Sequence, residues 1–405
     1  MAPSNTGTVM LRLALALCVL AVASPAHSTP PPLRVGVIGA FTGGSAPMGL
    51  AMRAGVRLAA EQVNRTGGVL GRQVELVERD DGGVPAIGAS HARALSAPPA
   101  VDAVIGFVNT PVALPALDQL QARKIPTLIA VATASELTRR HAGEATHYIF
   151  RVATPDTLQA ELIVREAISE RGLRRVAILA DNSAYGAGGE RELTHALARR
   201  GLTPVLVQRF GAHERDLGGA VRAAREAGAE LVLTYALGPQ LAAIADAMAQ
   251  QGWRVPLMGS WTLALPNFID HAGPAAEGAR MVQTLIEDGS DPAQQAFVAT
   301  LRTRQHTRRL SSPVAAAQGH DALLLWAAAL RQAGSSQPDA VVTALEQLRE
   351  PVDGVLARYY RPFSRHDHEA VDARIPLIGV VRGGRVGFAH PQDKARLRPD
   401  LTRTP

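Results

Sequence analysis

Short apolar runs rich in β-branched residues alternate with segments of helical periodicity along most of the chain. Residues 34–41 predict a strand, and residues 48–64 carry apolar side chains at 52, 56, 59, 60 and 63, a spacing that places them on one helical face. The same alternation predicts strands at 73–78, 102–107, 126–131, 175–180, 203–210, 230–235 and 256–259, and helices at 87–95, 111–123, 155–171, 188–200, 214–227 and 239–251. Strands and helices that alternate in this way indicate βα units around a parallel sheet.

The alternation falls into two similar series, and the second begins after Arg151. In each series a strand is followed by a small-residue loop and a long helix, with Ser45-Ala-Pro-Met-Gly49 in the first and Ser183-Ala-Tyr-Gly186 in the second. We therefore predict two α/β lobes. The helix-rich segment 291–348 and the late strands at 354–360 and 375–382 could complete either lobe, so the chain could cross between them more than once.

The N-terminus resembles a secretion signal. An apolar stretch at residues 10–23, interrupted only by Arg12, precedes the small-x-small sequence Ala26-His27-Ser28. The stretch is too short to span a bilayer comfortably, and no later segment is long and apolar enough to do so. We predict a signal peptide at residues 1–28 and a periplasmic mature protein. Lipidation at Cys18 is the alternative, although Leu17 stands where a lipoprotein needs a small residue.

Composition excludes several classes of protein. Cys18 is the single cysteine among 405 residues, which excludes disulfide scaffolds, thiolate metal clusters and a cysteine nucleophile. Hydrophobic residues at 47% and charged residues at 19% describe an ordinary globular protein. The formal charge is +6, but the arginines are scattered among acids without a basic stripe, so we expect no nucleic-acid partner.

Candidate chemistry lies in the loops after the strands, because open parallel sheets bind ligands at the carboxyl ends of their strands. These loops hold hydroxyls, amides and aromatic rings, which suit a small anion with an apolar body. Some of these residues could have a structural role instead of binding a ligand: Thr110 could be a helix N-cap, Thr133 or Ser135 could cap a helix, and Trp261 could pack between the lobes. The predicted ligand-binding residues are Asn109, Thr110, Val131, Thr133, Tyr185, Tyr235 and Trp261.

Motifs of catalysis are absent from the sequence. It contains no GxGxxG, GxxxxGK[ST], HExxH or GxSxG segment. His366-Asp367-His368 lies in a polar stretch that we interpret as a solvated loop, not a zinc site. Asp80 and Asp81 follow a strand and predict a turn with Asx capping. We therefore expect no catalytic residues, no metal and no cofactor.

Several segments together resemble the leucine/isoleucine/valine-binding family of periplasmic solute-binding proteins of ABC importers. They are residues 35–43 (VGVIGAFTG), 64–71 (NRTGGVLG), 80–81 (DD), 104–106 (VIG), 132–138 (ATASELT), 185–186 (YG) and 276–278 (AEG). The resemblance covers roughly residues 33–388. It implies a type I periplasmic binding fold, in which two Rossmann-like lobes with parallel sheets are joined by a three-crossing hinge and close over a ligand. We divide the chain into lobe 1 (33–151 and 281–357), lobe 2 (152–280 and 358–390) and a C-terminal tail (391–405).

The resemblance also implies roles for individual residues. Thr110 and Thr133 match positions that hold the α-carboxylate and amine of the ligand, and Tyr185 matches a tyrosine that reaches across from the second lobe. Two positions depart from the pattern: Met48 stands where amino-acid binders often have tyrosine, and Trp261 replaces the acid that pairs with the ligand ammonium. A buried ammonium without that acid would lose several kcal/mol.

We therefore expect a carboxylate- or amide-bearing ligand with an apolar or aromatic body, either similar to a branched-chain amino acid or an aromatic acid. The implied partners are the small-molecule ligand and the permease subunits of an ABC importer, and we expect a monomer. An enzyme on the same sheet would need a base or nucleophile in the strand-end loops, and none has a partner there. A secreted ligand-sensing module that feeds a signalling system stays open as an alternative.

Overall fold

The fold is that of a computed structural model, in which residues 30–402 are described. The predicted signal peptide and Cys18 lie outside these residues. From residue 30 to residue 402, no helix is long and apolar enough to cross a membrane. Residues from Pro32 onward form one unit, which is built on two larger sheets and one small sheet.

The first sheet has five parallel strands in the spatial order β2-β1-β3-β4-β5. They are β1 (Leu33–Gly39), β2 (Val74–Asp80), β3 (Ala103–Gly106), β4 (Thr127–Ile129) and β5 (Ile149–Arg151). The strands β3, β4 and β5 are buried along their whole length, as expected where helices cover both faces of a parallel sheet.

The second sheet has seven strands in the order β14-β13-β10-β9-β8-β6-β7. They are β6 (Val176–Asp181), β7 (Leu206–Phe210), β8 (Leu231–Tyr235), β9 (Leu257–Gly259), β10 (Arg280–Gln283), β13 (Leu377–Arg382) and β14 (Arg385–Phe388). The pairs from β7 to β10 are parallel, whereas β13 is antiparallel to both β10 and β14. A small third sheet contains β11 (Val352–Asp353), β12 (Arg358–Tyr360) and β15 (Asp400–Thr402).

Twelve α-helices occur between residues 30 and 402. They are α1 (Ala46–Arg65), α2 (Pro85–Leu95), α3 (Thr110–Ala122), α4 (Glu136–Arg139), α5 (Asp156–Val164), α6 (Ala184–Ala198), α7 (Gly218–Glu226), α8 (Pro239–Gln250), α9 (Pro266–Ala272), α10 (Pro292–Arg304), α11 (Pro313–Ala333) and α12 (Pro338–Glu346). A π-helical turn continues α5 over Arg165–Glu170, and a 3-10 turn covers Trp261–Ala264.

Helices cover both faces of the first sheet. One layer contains α1 and α11, whose apolar residues share a core with inward side chains of β1. These two helices pack closely at Gly55, where an added Cβ would lie 1.8 Å from the backbone oxygen of Ala316. The other layer contains α2 and α3, which pack on the opposite face. The alternation of strands and helices in the sequence thus gives a helix-covered sheet in each series, parallel throughout in the first and parallel from β7 to β10 in the second, and the predicted two-lobed α/β fold is confirmed.

The chain passes between the two larger sheets three times. The crossings lie between β5 and α5, between β10 and α10, and in the segment before β13. The last crossing leaves the first sheet next to Glu369, which forms a parallel bridge with Arg151 at the end of β5.

The strand pairing shifts the predicted lobe limits at three places. Residues 281–283 belong to β10 in the second sheet, although the sequence assigns them to lobe 1. Residues 358–360 belong to β12, although the sequence assigns them to lobe 2, because buried Asp321 of α11 accepts a hydrogen bond from the Tyr359 hydroxyl at 3.0 Å. In the predicted tail, β15 pairs with β12. Short strands with no clear alternation offer no sequence pattern from which to place these limits.

Most helices and strands lie within a few residues of their predicted positions, but one shift affects the site. The sequence predicts a helix at 188–200, with Tyr185 in a glycine-rich loop before it, whereas α6 begins at Ala184. Ser183 is its N-cap and accepts a hydrogen bond from the Gly186 amide at 3.3 Å. Tyr185 therefore lies in the first turn of a helix, which fixes its direction. The predicted strand at 354–360 is in fact the pair β11 and β12.

Candidate functional site

The first lobe contributes the loop after β3 to the predicted site. Asn109 is the N-cap residue of α3 and makes no side-chain cap bond, while its Nδ2 donates to Ser45 Oγ at 2.9 Å. Thr110 is the first residue of α3, is 3% exposed, and its Oγ1 has no hydrogen-bond partner among residues 30–402. Thr110 is therefore not the helix cap that was its alternative role. Its buried hydroxyl lies at the start of α3, where the amides of Val112 and Ala113 donate to the Asn109 carbonyl at 3.1 and 2.9 Å and Pro111 has no amide hydrogen.

The loop after β4 supplies a second part of this wall. Val131 and Thr133 are buried there. The Thr133 carbonyl accepts a hydrogen bond from the Asp156 amide at 2.8 Å, and Ser135 Oγ accepts one from the Thr157 amide at 3.1 Å. Both bonds fasten this loop to the start of α5, so the wall is anchored where the chain first crosses between the lobes.

The second lobe presents aromatic rings. The Tyr185 hydroxyl lies 2.6 Å from Ser260 Oγ, which lies 2.8 Å from Thr262 Oγ1, and Thr262 in turn donates to the Ala236 carbonyl at 3.0 Å. This chain of hydroxyls ends on the backbone, so the polar end of Tyr185 is satisfied within its own lobe. Burial, together with the nearby charge of Asp156, raises the pKa of Tyr185 well above its usual value, and the phenol stays neutral.

Tyr235 lies behind Tyr185 and not on the wall of the cavity. The two ring centroids are 5.5 Å apart, and Tyr235 is fully buried. Its ring presses on α6 at Gly189, where an added Cβ would come within 2.0 Å of the ring carbons. The sequence predicts Tyr235 as a ligand contact because it ends β8. The structure instead places it as the support of Tyr185, held there because position 189 has no side chain.

Trp261 opens the 3-10 turn after β9 and is 7% exposed. Its amide donates to Gln159 Oε1 at 3.2 Å, and Gln159 lies on α5. The ring lines two small cavities. Besides the predicted site, it borders one on the hinge side, where Thr154 Oγ1, Thr284 Oγ1 and Gln318 Oε1 are buried without hydrogen-bond partners within the described chain. Such groups are commonly bridged by ordered water.

Six of the seven predicted residues line one cavity between the lobes. Besides Asn109, Thr110, Val131, Thr133, Tyr185 and Trp261, its walls include Met48, Val108, Ala132, Leu237 and Thr262. No sequence pattern marks Val108 or Leu237 as lining residues, since each is one more apolar residue at the end of a strand.

The two lobes are closed over this cavity. Its volume is about 10 Å³, room for about one water molecule. Two contacts bridge the lobes at its margins: Arg139 Nη2 lies 3.3 Å from Glu192 Oε1, and Asn267 Nδ2 donates to the Gly44 carbonyl at 3.3 Å. A ligand can therefore reach Thr110 only when the lobes separate.

A carboxyl group that the sequence analysis missed lies behind Thr133. Asp156 begins α5, is fully buried, and its Oδ1 accepts a hydrogen bond from Gln159 Nε2 at 3.2 Å. Burial raises the pKa of Asp156 to about 7, against the opposing effects of a hydrogen bond from Thr133 and the charge of Arg151. Near neutral pH this group is therefore divided between its neutral and charged forms. In the sequence it resembles any acid in a first helical turn.

Neither of the other candidate clusters holds a metal site. Asp80 Oδ1 accepts hydrogen bonds from the amides of Phe41 and Gly82 at 2.8 and 2.9 Å, as expected for a capping carboxylate. His368 is buried and stacks on His147 and Phe150, so it does not belong to the predicted solvated loop. Between residues 30 and 402, no cluster of three or more His, Cys, Asp or Glu side chains could hold a metal ion.

Comparison with known proteins gives a consistent result. A family model described as periplasmic binding protein matches residues 32–383. The chain is 24% identical over 321 residues to the Leu/Ile/Val-binding protein homolog 3 of Brucella melitensis, covering 79% of this chain and 84% of that protein. It is 26% identical over 315 residues to a leucine-, isoleucine-, valine-, threonine- and alanine-binding protein of Pseudomonas aeruginosa, covering 77% and 82%.

Solved structures share the fold at lower identity. A leucine-binding protein of Thermotoga maritima aligns with a TM-score of 0.77 at 21% identity, covering 89% of this chain and 99% of that one. A solute-binding protein of an ABC transporter from R. palustris, in complex with 4-hydroxybenzoate, aligns with a TM-score of 0.75 at 20% identity, covering 88% and 95%.

Proposed function

Because the chain belongs to the periplasmic binding protein family, we propose that it captures a small organic carboxylate with an apolar or aromatic body and delivers it, in the periplasm, to the permease subunits of an ABC importer. An amide in place of the carboxylate fits the same contacts. The observation that carries the proposal is the buried hydroxyl of Thr110, which has no partner among residues 30–402 and lies in one cavity with the Trp261 ring.

The carboxylate end is assigned to the first lobe. A carboxylate accepts hydrogen bonds only, and Thr110 supplies a free hydroxyl at the first position of α3. The positive end of the α3 dipole favours an anion at the same place. Thr133 supports the opposite side of this polar end from the loop after β4.

The body of the ligand is assigned to the rings and apolar side chains. Tyr185 and Trp261 border the cavity together with Met48, Val108 and Leu237. In the described part of the chain, no Asp or Glu lines it. Asp156 lies behind Thr133 and is partly neutral near pH 7, because burial raises its pKa to about 7. It is therefore a weak counter-charge for a ligand ammonium, and a plain α-amino acid is the less favoured ligand.

The fold neighbours include both kinds of ligand. One solved structure of a branched-chain amino acid transporter protein is in complex with isoleucine, and two from Rhodopseudomonas palustris are in complex with hydroxybenzoic acids. At 20% identity to this chain, these structures support the fold only. The choice between the two kinds of ligand therefore rests on the residues that line the cavity. Within residues 30–402, no charged side chain lines the cavity beside Trp261, and this favours the aromatic acids.

Calorimetry on the mature protein tests the ligand class. We expect 4-hydroxybenzoate or a related aromatic acid to bind more tightly than leucine. Thr110→Val should weaken that binding by roughly 1 to 3 kcal/mol, since a buried polar contact is lost. The matched control is Thr303→Val, because Thr303 is exposed and bonds only to its own helix at the Ala299 carbonyl. Tight leucine binding without any response to aromatic acids would contradict the proposal.

Delivery to an importer is tested by uptake. Cells that lack the gene should accumulate the labelled ligand slowly, and the wild-type gene should restore uptake while Thr110→Val should not. A ligand-sensing module would leave uptake unchanged in the deletion strain and alter only a transcriptional response. That result would replace transport with sensing and leave the assignment of the cleft intact.

A further inference from the structure

A second cavity lies beside the cleft, and the proposed function does not use it. We call it the lateral groove. Its volume is about 500 Å³, which is within the range of pockets for small organic ligands. One wall comes from the second lobe, with α9 and the β13–β14 hairpin, and the facing wall comes from the end of α10 and residues 308–313. The crossing at residues 285–288 lies between these walls.

The floor of the lateral groove is apolar. Leu285, Ile286, Leu310 and Ile269 line it and are each at most 4% exposed, and Phe388 closes one end at 9% exposed. These side chains belong to separate stretches of sequence, which meet only because the chain crosses between the lobes at this point. An apolar floor of this kind favours the hydrocarbon part of a ligand.

The rim is strongly cationic. Six cationic side chains line the groove against two carboxylates, Glu287 and Asp288; the six are Arg302, Arg308, Arg309, Arg382, Arg385 and Lys394. Three of them are already paired: Arg302 with Glu287, Lys394 with Asp288 at 3.4 Å, and Arg309 with Asp270 at 2.7 Å.

The remaining three arginines carry uncompensated charge. Arg382 donates to the Phe388 carbonyl at 3.3 Å, which leaves its charge without a counter-ion among the described residues. Arg308 and Arg385 are exposed and make no ion pair with any residue from 30 to 402. A concave site with excess positive charge raises the local concentration of anions.

From this combination we infer that the lateral groove is a binding site for a small amphipathic organic anion, separate from the cleft. The apolar part of the ligand lies on the floor formed by Leu285, Ile286 and Leu310. Its anionic group lies among Arg308, Arg382 and Arg385. A guanidinium offers paired N–H donors that match carboxylate, sulfonate and phosphate groups, which is why arginine suits such a rim. Both lobes contribute walls, so an occupant of the groove contacts both of them.

The test uses the anionic dye 8-anilinonaphthalene-1-sulfonate as the probe, with binding followed by fluorescence. Octanoate should displace it, whereas octyltrimethylammonium, which has the same tail and the opposite charge, should not. The double variant Arg308→Gln/Arg385→Gln should weaken dye binding about tenfold, as expected from the loss of two exposed charge contacts. The matched control is Arg222→Gln/Arg254→Gln, since these arginines are also exposed and are remote from the groove.

Each other outcome contradicts the inference. If both double variants lost dye affinity equally, the effect would be due to general surface charge. If octyltrimethylammonium displaced the dye as well as octanoate does, the dye would be held by apolar contact alone. Displacement by polyglutamate at lower concentration than octanoate would assign the groove to an acidic polypeptide. Dye binding that Thr110→Val weakens would place the dye in the cleft. Melting temperatures equal to wild type show that the variants fold.

Discussion

The two walls of the cleft differ in how their polar groups are used. On the first lobe, the hydroxyl of Thr110 is buried without a partner among the described residues. On the second lobe, the hydroxyl of Tyr185 is already bonded through Ser260 and Thr262 to the backbone. The first wall therefore has unused hydrogen-bonding capacity at Thr110, whereas the hydroxyl of Tyr185 on the second wall is already occupied.

This difference assigns the two walls to different steps of binding. Under the proposed function, a ligand docks first on the first lobe, where it gains hydrogen bonds, and the second lobe then covers it with Tyr185 and Trp261. Hinge closure of this kind buries the apolar part of the ligand last. Substitutions that remove the polar or aromatic groups of each wall test this assignment. The largest effect on stability is expected for the carboxyl group behind the first wall.

The largest effect is expected at Asp156, which is fully buried behind Thr133 of the first wall. Its pKa is raised in the folded protein, from 3.8 to about 7, so the folded state holds a proton that the unfolded state releases between these values. Stability should fall as pH rises through this window. Asp156→Asn removes the cost of holding a buried carboxylate. Above pH 7 the variant should therefore be more stable to unfolding by up to about 4 kcal/mol, at about 1.4 kcal/mol per pKa unit.

Denaturant unfolding at pH 4 and at pH 8 measures this effect. The free energies of unfolding of the wild type and of Asp156→Asn should be similar at pH 4 and differ at pH 8. The control Asp246→Asn, at a half-buried position of α8, should show no such difference from the wild type. A variant that loses stability at pH 8 would indicate a charged, paired carboxylate. The two walls would then share a fixed negative charge, and an ammonium ligand would become acceptable.

The next effect separates the ring of Tyr185 from its hydroxyl. Tyr185→Ala should weaken ligand binding by roughly 1 to 3 kcal/mol, because the ring covers the apolar part of the ligand. Tyr185→Phe should cost less than about 1 kcal/mol, since the lost hydroxyl bonds within its own lobe, to Ser260 and Thr262, and not to the ligand. Calorimetry with the cleft ligand distinguishes them. Equal losses in both variants would show that the second wall also recognises polar groups.

The smallest effect is expected at the margin of the cleft. Arg139 and Glu192 pair across the two lobes at 3.3 Å, and the Arg139 side chain is 65% exposed. Exposed pairs contribute about 0 to 1 kcal/mol, so Arg139→Gln should change the ligand dissociation rate by less than about fivefold. Stopped-flow measurements at low and high salt test this expectation. A larger change in the dissociation rate would mean that the Arg139–Glu192 pair stabilises the closed state more than Tyr185 and Trp261 do.

Local pattern predicted much of this molecule and failed where distant segments meet. Periodicity and strand-end position identified Thr110, Thr133, Tyr185 and Trp261, because the carboxyl ends of parallel strands share one edge. Asp156 was missed, since in the sequence it resembles any acid in a first helical turn and its burial arises only in the folded chain. Tyr235 does not line the cavity, because Gly189 lets its ring pack against α6, and its predicted ligand contact stays a prediction. The lateral groove joins residues 269, 308 and 385, which no local pattern connects.

The pairing of β15 with β12 has a practical consequence for measuring closure. Leu33 opens the first sheet and Leu401 lies in the small sheet attached to the same lobe, through Tyr359 and Asp321. The second lobe is thus an inserted body, tethered at the three crossings and at the segment between β14 and β15, while both outer segments stay together. The distance between fluorophores at residues 33 and 401 should therefore not change when the lobes close. A measurement of closure needs one dye on the second lobe, on α7 or α8.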